Sequence, residues 1–131
     1  MIGVVIPYRC CNVGHGTRDR TPWEDNRRYL AALRQIVSDT ALPTVVVRDF
    51  NQRHPFDPGY GAPEELHAEL LRSLGQLSIA TGGDAPDLGY PLIDHAAVSP
   101  DLRVQGFVAW PATQDGVEVS DHPGFRIDLQ L

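Results

Sequence analysis

Two short apolar runs rich in β-branched residues, Ile2–Pro7 and Thr44–Val47, and a third strand-like stretch, Leu92–Val98, alternate along this chain with stretches of helical character. Runs of that length read as buried strands rather than buried helices. Strands and amphipathic helices that alternate in this way bury their apolar sides by stacking in layers.

The first helix carries its own start signals. Thr21 suits the N-cap, Pro22 the first helical position, and Glu24 completes a capping box. Tyr29, Leu30, Leu33, Ile36 and Val37 then recur at helical spacing, and Pro43 closes the connection. Pro63–Leu74 predicts a second helix, with Leu66, Leu70, Leu71 and Leu74 along one side. Arg103–Trp110 and Phe125–Leu131 predict two further strands. In the last, Phe125, Ile127, Leu129 and Leu131 alternate with Arg126, Asp128 and Gln130. Arg9–Arg20, Arg53–Ala62 and Thr81–Tyr90 read as loops. The expected architecture is one domain over 1–131, α/β or α+β layered, with about five strands and two main helices.

Composition narrows the function classes. With 42% hydrophobic and 21% charged residues in 131, wholesale disorder is excluded. No apolar run approaches the roughly 20 residues of a membrane helix. The net charge of -6 is unevenly placed, and all eleven basic residues are Arg. Residues 1–53 hold eight Arg against five acids, a net of +3, and residues 54–131 hold three Arg against twelve acids, a net of -9. An acidic chain is a poor general nucleic-acid coat, but its basic first segment suits a phosphate. Cys10 and Cys11 are adjacent, a poor geometry for a disulfide, and no apolar leader opens the chain, so a cytoplasmic setting is expected. Cys10, Cys11 and His15 lack the paired spacing of a zinc site. No Gly-x-Ser-x-Gly elbow supports a serine hydrolase on Ser99 or Ser120, and no His-Glu-x-x-His supports a zinc hydrolase. His54 and His67 have no evident partners and read as surface or core residues.

Three segments share one layout, a strand beside a loop with a carboxylate at the junction. They are Val47-Arg48-Asp49-Phe50-Asn51, Ile93-Asp94-His95 and Ser120-Asp121-His122-Pro123-Gly124. Asp49 and Asn51 are two apart, so an extended backbone would point both to one side and turn Phe50 into the core. Rigid strand ends are favoured places to aim functional side chains. Carboxylates suit a hard divalent cation, and a His beside a carboxylate suits proton transfer.

The ordered set "RDFNQ … IDHAAVS … VSDHPG" resembles the C-terminal half of the endonuclease/exonuclease/phosphatase superfamily, the DNase I-like fold. The stretch "GVVIPYR … RTPWEDNRRYLAALRQIV" resembles the strand and helix that precede these motifs in that family. The resemblance implies half of a two-sheet sandwich and metal-assisted hydrolysis of a phosphate ester, most readily a phosphodiester of nucleic acid, with Mg²⁺ or Mn²⁺. By position, it implies that Asp49 orients or deprotonates the attacking water and that Asn51 holds the scissile phosphate. Asp94 would pair with His122, His122 would contact the phosphate, and Asp121 would lie at the metal. Apart from the resemblance, Arg48 and Arg53 are cations beside the first motif that suit substrate phosphates, and the side chain of His95 alternates away from Asp94, so His95 reads as structural.

The chain departs from the family at several points. The N-terminal half of family members supplies an Asn and a Glu metal ligand, and no such motif precedes Ile2. Arg48 stands where Gly is usual, and Val5 where many relatives carry Tyr. Half a sandwich leaves one sheet face uncovered, which implies a homodimer or a partner chain over it. The alternative to an enzyme is therefore a non-catalytic fragment or binding remnant of the same fold.

Overall fold

The two longest helices pack on one side of a four-stranded sheet, and a two-stranded ribbon carries the C-terminal end of the chain. These features come from a computed structural model that describes residues 1–13, 20–85 and 87–131. Residues 14–19 of the Arg9–Arg20 loop, His15 among them, lie outside the described residues.

In chain order the elements are β1 (Ile2–Val5), α1 (Glu24–Ser38), β2 (Val45–Asp49), α2 (Glu64–Leu74), β3 (Ser78–Ile79), β4 (Asp94–Val98), β5 (Arg103–Trp110), β6 (Thr113–Gln114), β7 (Val117–Glu118) and β8 (Gly124–Gln130). The four-stranded sheet runs β1-β2-β4-β3, with β1 parallel to β2 and the other pairs antiparallel. β5 pairs with β8, and β6 with β7. This is an α+β fold, as the alternation of strand and helix signals implies. The five expected strands are all present, and β3, β6 and β7 are additional. Each spans two residues, too few to carry a hydrophobic period. Asp115 and Gly116 close the β6–β7 hairpin with φ of 51° and 78°, the left-handed pair that a type I′ turn needs.

α1 begins later than its capping signals predict. Trp23, at φ 69°, occupies the N-cap position, and the helix starts at Glu24. Thr21 still uses Glu24, because its backbone N–H and its hydroxyl both donate to Glu24 Oε2, at 3.0 and 3.2 Å. The capping contact therefore forms ahead of the helix rather than inside it. α2 starts and stops within a residue of expectation, with Gly75 at φ 63° ending it.

Register separates the two faces of the sheet. Ile2 pairs with Val46 and Val46 with Ala97, so these residues share one face. That face meets Leu30, Leu33 and Val37 of α1 and Leu66, Leu70 and Leu74 of α2 in the main core, with Phe50 fully buried among them. The other face carries Gly3, Val5, Val45, Val47, Asp49, Asp94, Ala96 and Val98. Its β4 residues are buried, whereas Gly3 and Val5 near the β1 edge are exposed. A second, smaller core joins Ala85 and Leu92 to Ala109, with Phe107 and Phe125 of the β5–β8 ribbon packed against it.

Arg48 has φ 108°, a region that suits glycine and strains an L-residue. Regular alternation would send its side chain to the helix side with Val4 and His95, its partners in register. The alternation breaks here, and Arg48 is exposed. Arg48→Gly should therefore raise stability by about 1 kcal/mol, the relief of strain exceeding the added unfolded-state entropy. Urea unfolding of both chains checks this, and a lower midpoint for the Gly chain contradicts it.

Candidate functional site

Asp49 is the last residue of β2 and Asp94 the first of β4, and the antiparallel register sets them directly opposite each other. Cross-strand partners point the same way, so the two carboxylates share the sheet face away from the helices. His122 reaches them from the segment before β8, and its Nδ1 lies 2.5 Å from Asp94 Oδ2. Its backbone N–H donates to Ser120 Oγ at 3.1 Å, a local turn that sets the ring's approach. Asp49, Asp94 and His122 each bring one ligand atom within 4.8 Å of the others. The expected Asp94–His122 pairing is thus present, across 28 positions of sequence.

Asn51 reaches Asp49 by a different route from the one its spacing implies. Its φ is 50°, so the chain turns rather than extends. The Asn51 backbone N–H donates to Asp49 Oδ1 at 2.8 Å, and its side-chain Nδ2 donates to Asp49 Oδ2 at 2.7 Å and to Ile6 O at 2.8 Å. Both hydrogens of the Asn51 amide are spent on protein oxygens. In this geometry Asn51 holds Asp49 in place, and Phe50 enters the core as expected.

The electrostatics follow from burial and from like charge. Burial raises the Asp49 carboxyl above its ordinary range, the Asn51 N–H opposes that rise, and the Asp94 charge adds to it. The hydrogen bond that His122 donates to Asp94 raises His122, with the charges of Asp94, Asp49 and Asp121 helping and burial opposing. With Asp94 accepting at Nδ1, the Nε2 of His122 is left to act outward. The half-buried Asp49 carboxylate, its proton affinity raised and the Asp94 charge facing it, costs stability at neutral pH. A bound cation relieves that cost, and the oxygen donors suit a hard divalent ion. The site fits a metal ion held by Asp49, Asp94 and His122.

These residues open onto a cleft of about 500 Å³, whose walls also include Arg48, Trp110 and Asp121. Asp121 stands apart from the cluster, largely exposed, with an oxygen 4.0 Å from His122 Nε2. Arg53 is engaged elsewhere. Its Nη1 donates to Asp57 Oδ2 at 2.5 Å, and its guanidinium lies 5.3 Å from the Tyr60 ring centre. Tyr60 itself is raised by burial and by the negative charges of Asp49 and Asp94.

His95 is structural, as expected. The Gln52 carbonyl can only accept, so Nε2 donates to it at 3.0 Å, and Nδ1 accepts from the Thr81 hydroxyl at 3.0 Å. Burial pushes the ring down to about 4 and keeps it neutral. The structure supplies the partners that His54 and His67 lack in the sequence reading. Their rings stack with centres 5.4 Å apart, and His54 Nδ1 lies 3.2 Å from His67 Nε2. A separation of 13 positions across a loop gave no signal for that pair. Trp110 carries no such signal either, since a Trp ending an apolar strand reads as core.

Compared with protein-family models, with curated proteins and with solved structures, the chain matches none. No helix among the described residues is long and apolar enough to cross a membrane.

In the metal-free protein His122 should titrate above the ordinary histidine range, and Asp94→Asn should lower it. A folded-state value above the unfolded one makes this pair's stabilising contribution complete below the unfolded value, with loss as pH rises through the folded value. NMR titration of the imidazole reads this directly, and a His122 titration that Asp94→Asn leaves in place contradicts it.

Proposed function

We propose that this cleft is a metal-dependent phosphohydrolase site of the endonuclease/exonuclease/phosphatase type, with a phosphodiester of nucleic acid as substrate. The observation that carries the reading is the convergence of Asp49, Asp94 and His122, contributed by three motifs far apart in sequence. The order of those motifs in the chain is the second support.

The chain's own groups divide the work. Asp49, with its raised proton affinity and its orientation set by Asn51, takes the proton of the attacking water. His122, whose Nδ1–H is held by Asp94, would turn the lone pair of Nε2 to a bound cation. Arg48, exposed in the cleft, offers a further cation to the phosphate. Arg53 stays with Asp57 and supports the loop beside the site. A divalent cation held by Asp49, Asp94 and His122, Mg²⁺ or Mn²⁺ by its oxygen-rich donors, would stabilise charge on the reacting oxygens. Asp121 is close enough to His122 to join that ion's surroundings through water. The free thiols of Cys10 and Cys11 suit the reducing cytoplasm.

Exposed apolar residues near the site favour a second reading, in which the chain binds rather than cleaves. Val5 and Val119 wall the cleft and are more than half exposed, so a partner chain or a second copy over them would complete the site or replace its activity.

Cleavage of supercoiled plasmid with Mg²⁺ and with EDTA separates these readings. The hydrolytic reading expects Mg²⁺-dependent turnover that falls at least about 100-fold in Asp49→Ala and in His122→Ala. Absence of turnover, or turnover indifferent to both substitutions, supports the binding reading instead.

A further inference from the structure

Trp110 ends β5 and walls the same cleft as Asp49, Asp94 and His122. It is 50% exposed, an unusual position for so large an apolar ring, and the chain's other Trp, Trp23, is buried. Among the described residues no aromatic ring stacks on it.

The indole is nonetheless firmly placed. Its cross-strand partner is Gly124, and a Cβ at that position would overlap the ring. The indole therefore lies directly against the Gly124 backbone, at the one residue type that leaves room for it. Pro111 follows Trp110 and Pro123 precedes Gly124, so the backbone on both sides is restricted. A flat apolar ring held with little freedom loses little entropy on binding a second flat ring.

The cleft thus combines a fixed aromatic surface, the exposed cation of Arg48, and the carboxylate–imidazole cluster. A base, its phosphate and the ester bond of a nucleotide match these three features. A volume of about 500 Å³ is of the size that takes a small-molecule group.

We propose that Trp110 is the stacking platform for an unpaired nucleobase whose adjacent phosphate lies against Arg48, which makes single-stranded nucleic acid the preferred ligand of this cleft. The proposal rests on the cleft being a phosphate-ester site. Paired bases have both faces stacked and must be unstacked first, whereas bases of a single strand are free. Every base offers a π-face, so binding should tolerate sequence.

The test measures binding in EDTA at low ionic strength, where turnover does not interfere. The probes are a labelled single-stranded oligothymidylate and its duplex with oligoadenylate. The chain has two Trp, and Trp23 is only 7% exposed, so quenching of emission by the strand reports on Trp110. The single strand should quench emission and bind more tightly than the duplex. Trp110→Leu, which keeps apolar bulk over Gly124, should weaken single-strand binding about tenfold, and Trp110→Phe should keep most of it. Equal binding by the Leu chain, unchanged emission at saturation, or a preference for duplex would overturn the proposal.

Plasmid turnover is scored separately. Trp110-dependent binding without turnover keeps the stacking platform and overturns the hydrolytic reading. Turnover with binding indifferent to Trp110 does the reverse.

Discussion

The antiparallel register of β2 and β4 is the constraint on which the site depends. It sets Asp49 opposite Asp94 on the face that the helices leave alone. A slip of β4 by one residue would turn Asp94 to the helix side, beside Val46, and Ala97 away from it. The register is secured by that core: Val46 and Ala97 are fully buried beneath α1 and α2, so such a slip would remove Ala97 from it. The helices thus never touch the carboxylates, yet they determine where the carboxylates point. His122 completes the cluster from another part of the chain, through one bond to Asp94.

Around this register the chain keeps two kinds of polar group. His95 is neutral, buried and fully bonded to Thr81 and Gln52, so it ties β4 to the loop after β2 without taking part in chemistry. Asp49 and Asp94 are less settled, because each adds negative charge beside the other. Satisfied polar groups stabilise a fold, while under-neutralised ones mark where a ligand completes the electrostatics. The strained Arg48 lies between these two regions, next to Asp49 in sequence and exposed in the cleft.

The elements with a strong period were legible in the sequence. Both helices, the five longer strands, the burial of Phe50 and the structural role of His95 follow from spacing and alternation. The Asp94–His122 pairing came from the resemblance of ordered motifs, since nothing local to either residue points to the other. The turn at Asn51 was not legible. Alternation assumes an extended backbone, and the positive φ values at Arg48 and Asn51 break that assumption within four residues. The His54–His67 stack and the seat of Trp110 on Gly124 depend on tertiary contacts between segments that carry no shared pattern. Side-chain competition explains Arg53, whose nearby Asp57 claims the guanidinium that a substrate phosphate would otherwise meet.

Titration with Mn²⁺, followed by the EPR signal of the free ion, tests whether Asp49, Asp94 and His122 act as one cation site. One Mn²⁺ should bind per chain and be displaced by Mg²⁺, and that binding should be lost in the Asp49→Asn and Asp94→Asn double variant. Retention of the ion by the double variant, or its absence in the unaltered chain, would contradict the site.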